Sequence, residues 1–151
     1  MLARRAGIGL CAGAAVALFA APASLFAQPT PVGAWRTVDD KTGKPRAIVR
    51  IYEEKGQFFG RVEASLNPQT AGRVCDKCKD ERKGQPIVGM VIIRGMRRAG
   101  DEFGGGEILD PDTGAVYRCK MRLLENGAKL LVRGYMGISL LGRSQTWTRE
   151  P

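Results

Sequence analysis

The dipeptide Asn126-Gly127 constrains this chain more than any other feature, because it lies between two runs of alternating side chains. Asn-Gly is the strongest signal for a two-residue type I′ hairpin turn, in which both central residues take positive φ. A turn there pairs Glu125 with Ala128 and fixes the partners of every residue on either side. Leu123 then faces Leu130, Met121 faces Val132, Cys119 faces Gly134 and Tyr117 faces Met136. That face is wholly apolar and must belong to a core. The opposite face sets Arg122 against Leu131, Lys120 against Arg133 and Arg118 against Tyr135, so it must be solvated. A slip of one residue would bury four cations, which makes the register well specified.

A second turn agrees with the first. Pro111-Asp112-Thr113-Gly114 has Pro to set φ, Asp to cap and Gly for the left-handed position. Pairing Asp110 with Ala115 puts Ile108 opposite Tyr117 in the core and Glu107 opposite Arg118 outside. Both hairpins therefore point Tyr117 the same way. Upstream, Gly104-Gly105-Gly106 interrupts the strand and marks a bulge or sharp bend. A third turn, Glu54-Lys55-Gly56, joins two further runs whose core face the pattern leaves ambiguous.

No stretch after Ala27 has sustained helical periodicity. Strand-like runs cover 32–37, 46–53, 57–64, 88–94, 102–109, 115–124, 128–135 and 140–149. Short turns join most of them, so consecutive strands pair as a meander. Eight strands with strong bends favour a closed antiparallel up-and-down barrel, since closure removes exposed edges. Such a barrel has room for side chains or one small ligand. At 151 residues one domain is expected.

Residues 1–27 read as an address. Arg4 and Arg5 precede an uncharged apolar run from Ala6 to Ala21, followed by small residues. This is the grammar of a secretory signal peptide, with cleavage after Ala23 or after Ala27. The run is short for a bilayer span, which counts against an uncleaved anchor. Cys11 lies inside the apolar run and is no lipoprotein acceptor. The barrel domain is then 28–151, without a membrane-spanning segment, in the periplasm or secreted. The net charge is +9, and removing the leader takes away two arginines and no acid, so the mature chain stays basic.

Gly33-Ala34-Trp35 resembles the Gly-x-Trp first strand of lipocalin-type (calycin) barrels, where the Trp plugs the base near a basic residue of the last strand. The last run here reads Gly142-Arg143-Ser144-Gln145-Thr146-Trp147-Thr148-Arg149. A wider pattern resembles the exported bacterial family labelled domain of unknown function 2147: Cys75-Asp76-Lys77-Cys78, then Lys83-Gly84-Gln85-Pro86-Ile87-Val88-Gly89. Gly105-Gly106-Glu107-Ile108-Leu109-Asp110-Pro111 with Gly114 and Tyr117 continues it, and Val132-Arg133-Gly134-Tyr135 joins it to the last run. Phe103 stands where relatives often carry Trp. The resemblance implies a lipocalin-like barrel in an exported protein. It implies no activity and no catalytic residues.

Three cysteines follow the leader, an odd number for an oxidising compartment. Cys75 and Cys78 fall in the longest stretch without a strand pattern, about 65–87. They can form a disulfide with each other, stiffening the loop. Either can instead bond Cys119, if the loop covers a barrel mouth. A redox-active Cys-x-x-Cys is a further reading, since Arg73, Lys77, Lys79, Arg82 and Lys83 favour thiolate, though Asp76, Asp80 and Glu81 oppose them. Three thiolates fall short of the four ligands of structural zinc.

His is absent, which excludes imidazole bases and His-ligated metals. No Gly-x-Ser-x-Gly occurs. Asp110, Asp112, Asp39 and Asp40 are explained as turn formers, so no catalytic constellation and no cofactor is called for. The expectation is a non-catalytic binding module for a small apolar or amphipathic ligand or an envelope partner. Tyr117, Met121, Val132 and Met136 are the lumen candidates, with Trp35 and Trp147 as plugs. A solidly packed core of the same residues is the competing outcome. Two other classes stand beside it. One is a thiol–disulfide envelope protein using Cys75 and Cys78. The other is a structural protein docking an anionic surface or partner through Arg118, Lys120, Arg122, Arg133 and Tyr135. No nucleic-acid motif is present.

Overall fold

A computed structural model of the chain describes residues 28–138 and 140–151. The expected signal peptide lies outside the described residues. The strands are β1 (Gly33–Val38), β2 (Pro45–Glu54), β3 (Gln57–Ser65), β4 (Val91–Ala99), β5 (Glu102–Asp110), β6 (Ala115–Leu124), β7 (Lys129–Tyr135) and β8 (Gly142–Arg149). Each pairs antiparallel with the next, and β1 closes on β8 through Trp35–Arg149 and Arg36–Thr148. The result is a closed eight-strand up-and-down barrel. Among the described residues no helix is long and apolar enough to cross a membrane.

The registers anticipated for the two C-terminal hairpins are present. Cys119 pairs with Gly134, Met121 with Val132 and Leu123 with Leu130. Ile108 pairs with Tyr117 and Asp110 with Ala115. Asn126 (φ 54°) and Gly127 (φ 89°) form the type I′ turn, closed by the Ala128 N–H donating to the Glu125 carbonyl at 3.1 Å. The ladder nevertheless stops at Leu124–Lys129, because Glu125 also takes positive φ. The expected Glu125–Ala128 pair is therefore part of a four-residue loop. The bulge expected at the triple glycine is real: the β5–β6 register shifts between Phe103 and Gly106, with Gly105 at φ 76°.

The ambiguous β2–β3 hairpin resolves with Val49, Ile51, Phe58 and Val62 inside. Its outer face is also partly apolar, with Tyr52 and Phe59 stacked 5.7 Å apart, and that hid the alternation. Strand β4 departs most from expectation. The run at 88–94 begins with a turn, where Met90 N–H bonds the Ile87 carbonyl, and the strand continues past Gly95 (φ 68°) to Ala99. Gly95 shifts the β3–β4 ladder and brings Met96 into the core.

The stretch at 66–90 is ordered rather than structureless. It folds as an irregular arm held by a Val74–Pro86 bridge and by Cys75 N–H to the Gln85 carbonyl. Arg82, only 4% exposed, anchors it. Its guanidinium grips Asp80 and donates to the Val91 carbonyl at 3.1 Å.

Four connections lie at one end of the barrel: β1–β2, the arm between β3 and β4, β5–β6 and β7–β8. The opposite end is closed. Trp35 is fully buried there, its indole N–H donating to the Pro31 carbonyl at 2.7 Å. Phe58 meets Phe103 edge-on at 5.0 Å in the same lower core.

Candidate functional site

The open half of the barrel holds a cavity of about 480 Å³, within the size range of small-molecule sites. Val49, Val62, Ile92, Leu109, Val132 and Trp147 line it from six strands, and Ile87 reaches it from the arm. The inward alternation of each strand supplies these side chains. Arg46, Asp110, Tyr117, Arg143 and Gln145 add polar groups. The site is therefore apolar in its depth and polar toward the loops.

The polar groups are organised. The Trp147 indole N–H donates to Gln145 Oε1 at 2.9 Å, and Gln145 Nε2 donates to Asp40 Oδ1 at 2.7 Å. Arg143 pairs with the same Asp40 at 3.1 Å. Arg46 and Arg73 pair with Asp112 at 2.5 and 3.0 Å, tying β2 and the arm to the β5–β6 turn. Burial would raise the Asp112 pKa, but the two guanidiniums outweigh it and hold the carboxyl below its ordinary value. Asp39 accepts from the backbone N–H groups of Lys41 and Thr42 and so makes a turn, as expected.

The structure divides the lumen candidates. Tyr117, Val132, Met136 and Trp147 border the cavity. Met121 does not, which corrects its expectation, and Trp35 does not either, since it stands at the closed end in the expected place of a plug. Met121 faces inward but lies lower, paired with Phe103 and 1% exposed in the packed half. Trp35 belongs to the closed end. Met136 is corrected in another sense: β7 ends at Tyr135, so Met136 is 57% exposed at the mouth rather than core. Trp147 is a cavity wall more than a plug. The polar lining from Arg46 and Gln145, and Ile87 from the arm, had no sequence signal, because they meet only when the barrel closes.

Cys75 and Cys78 form a disulfide and Cys119 stays a buried thiol. That removes the bond to Cys119 and the three-thiolate site as readings. Both bonded cysteines are buried, at 0% and 1% exposure, which shields the sulfurs from an attacking thiolate. Their loop packs on the β5–β6 turn, where a Cβ on Gly114 would overlap the Lys77 carbonyl. Burial pushes the Cys119 thiol up to about 12. No group of three or more metal-ligating side chains occurs among the described residues.

On the outer face, Arg118 and Arg122 are exposed and Lys120 lies opposite Arg133, as the register required. Arg133 donates to Ser144 Oγ at 2.8 Å and to the Leu140 carbonyl at 3.2 Å. Tyr135 does not stay wholly outside, since it also borders the cavity mouth.

A closed eight-strand antiparallel barrel, plugged at one end and hollow at the other, defines a lipocalin-like protein. The solved structure described as "Protein HP1028 from the human pathogen Helicobacter pylori belongs to the lipocalin family" superposes with a TM-score of 0.71. It is 16% identical, over 81% of this chain and 84% of that one. Residues 33–149 match the family model described as "Uncharacterized protein conserved in bacteria (DUF2147)", and the chain belongs to that family. No curated protein sequence matches it.

Proposed function

We propose that this chain is a non-catalytic binding module that holds one small apolar or amphipathic molecule in its barrel, and that it acts in the periplasm or outside the cell. The observation carrying this reading is the cavity of about 480 Å³, apolar in its depth with polar groups toward the mouth. An amphipathic ligand fits with its tail among Val62, Ile92 and Val132 and its head near Arg46, Tyr117 and Gln145. The Cys75–Cys78 disulfide supports an oxidising compartment, in line with the leader-like residues 1–27. The buried sulfurs argue against the thiol–disulfide alternative.

The test uses Trp147 as its own reporter. Dodecanoic acid carrying a terminal bromine is titrated into the purified protein while tryptophan emission is followed. Saturable, partial quenching is expected, since Trp147 borders the cavity and Trp35 does not. Unsaturable quenching, or none, removes the reading. Native mass spectrometry of the unreduced protein checks export, with a chain beginning at Gln28 or Ser24 expected.

A further inference from the structure

The β7–β8 connection carries apolar side chains that no part of the barrel covers. Met136, Ile138, Leu140 and Leu141 are 57%, 59%, 83% and 71% exposed. Together they make the most exposed apolar cluster among the described residues. Isolated exposed apolar residues are ordinary, but a cluster on one loop marks an interaction site. Two further observations say what the partner is. Met136 and Leu141 also border the cavity, so the exposed apolar cluster reaches the cavity mouth. The hairpin carries no acid from Asn126 to Arg149, and two of its four cations, Arg133 and Arg143, lie toward the tip, while Lys129 and Arg149 lie at the closed end. Arg133 sits at the base of the tip, bonded to the Leu140 carbonyl. Arg143 follows directly and is exposed, although Asp40 pairs with it. Arg118 is next to this hairpin, opposite Tyr135. Apolar side chains at an apex with cations behind them match the layered chemistry of a membrane surface, where anionic headgroups lie above acyl chains.

We propose that the β7–β8 tip inserts into the interface of an anionic lipid bilayer and sets the cavity mouth against it. The docking deepens the carrier reading, because the ligand then passes between membrane and lumen without crossing open water. It rests on that reading for its purpose and not for its occurrence. The outer basic strands contribute long-range attraction, and the apolar tip supplies penetration.

The experiment places an environment-sensitive fluorophore on Ile138→Cys, and in a second protein on Ala128→Cys at the closed end. Cys119 is buried with its pKa near 12, so it does not compete for the label. Vesicles of phosphatidylglycerol and phosphatidylethanolamine are compared with vesicles of phosphatidylcholine alone. The label at position 138 is expected to shift to the blue with the anionic vesicles only, and the label at 128 not at all. Ile138→Asp with Leu140→Asp, at two exposed side chains outside the cavity lining, is expected to weaken vesicle binding at least about tenfold, while bromo-acid quenching of Trp147 in solution persists. That persistence also shows the variant to be folded. Absence of a shift at 138, or equal shifts at both positions, overturns the proposal. A shift at 138 that grows with protein concentration in the absence of vesicles also overturns it, because the tip then covers a second copy of the chain. Docking without quenching sinks the carrier reading alone, and quenching without docking sinks this one.

Discussion

The Arg149 guanidinium stands 4.2 Å from the centre of the Trp35 ring and closes the base of the barrel. The same side chain donates to the carbonyls of Gly127, Val32 and Thr30 at 2.7, 2.8 and 2.9 Å. One residue of the last strand thus ties together the segment before β1, the β6–β7 turn and the aromatic plug. Arg149→Met keeps much of the volume and removes the donors. It is expected to cost about 2 kcal/mol, as lost charged hydrogen bonds and one cation–π contact imply. Urea unfolding measures this. Ligand affinity should not change, since the cavity lies in the other half.

Ala47 borders the cavity on β2. Ala47→Phe projects a ring into the space the ligand would fill. The expected result is at least about a tenfold loss of bromo-acid affinity, with a stability change within about 1–3 kcal/mol in either direction. Calorimetric titration and thermal unfolding separate the two effects. Unchanged affinity would place binding elsewhere.

Thiol counting tests the cysteine assignment. Once the leader has been removed, no thiol of the folded protein should react with a thiol reagent near neutral pH, because burial holds Cys119 in its neutral form. Denaturation without reductant should expose one thiol per chain when the leader has been removed, and two when Cys11 remains. Replacing both Cys75 and Cys78 by Ser should cost about 2 kcal/mol or less, since the ring they close is small.

Asp80 and Arg82 predict an acid-sensitive arm. The Arg82 side chain, then its backbone N–H, hydrogen-bond the carboxylate and lower its pKa from 3.8 to about 2. A lowered folded-state pKa means that the stabilisation is complete above about 3.8 and disappears as the pH falls through about 2. Asp80→Asn should lower the urea midpoint at neutral pH and flatten its decline in that acid window. A parallel decline in both proteins would remove the pair from the account.

Turn chemistry made half of the barrel legible. Asn126-Gly127 and Pro111-Asp112-Thr113-Gly114 are local instructions, and the pairs they implied from Arg118–Tyr135 to Leu123–Leu130 and from Glu107–Arg118 to Asp110–Ala115 are present, while Tyr117–Met136 is not, since β7 ends at Tyr135. Where a feature depended on distant partners, sequence reasoning ran out. Alternation told which face Met121 and Val132 share but not their height along the barrel axis, so only one of the two borders the cavity. Gly95 concealed the second half of β4, because a bulge breaks the period that reveals a strand. The hollow itself was illegible. Its lining comes together only when the barrel closes and Ile87 reaches in from the arm at 66–90, and that arm is held by Arg82, Asp112 and a disulfide rather than by any repeating pattern.

The odd-numbered hairpins all turn at the hollow end, while Arg149 and Trp35 lock the other end without their help. The molecule is in this sense a cup on a self-sufficient foot. Loops at the brim can be lengthened, shortened or exchanged without disturbing the foot, so selectivity can diverge among relatives while the vessel is retained. The same partition suits the chain as a scaffold: a new recognition surface grafted between Tyr135 and Gly142 would be carried by a base that never touches it.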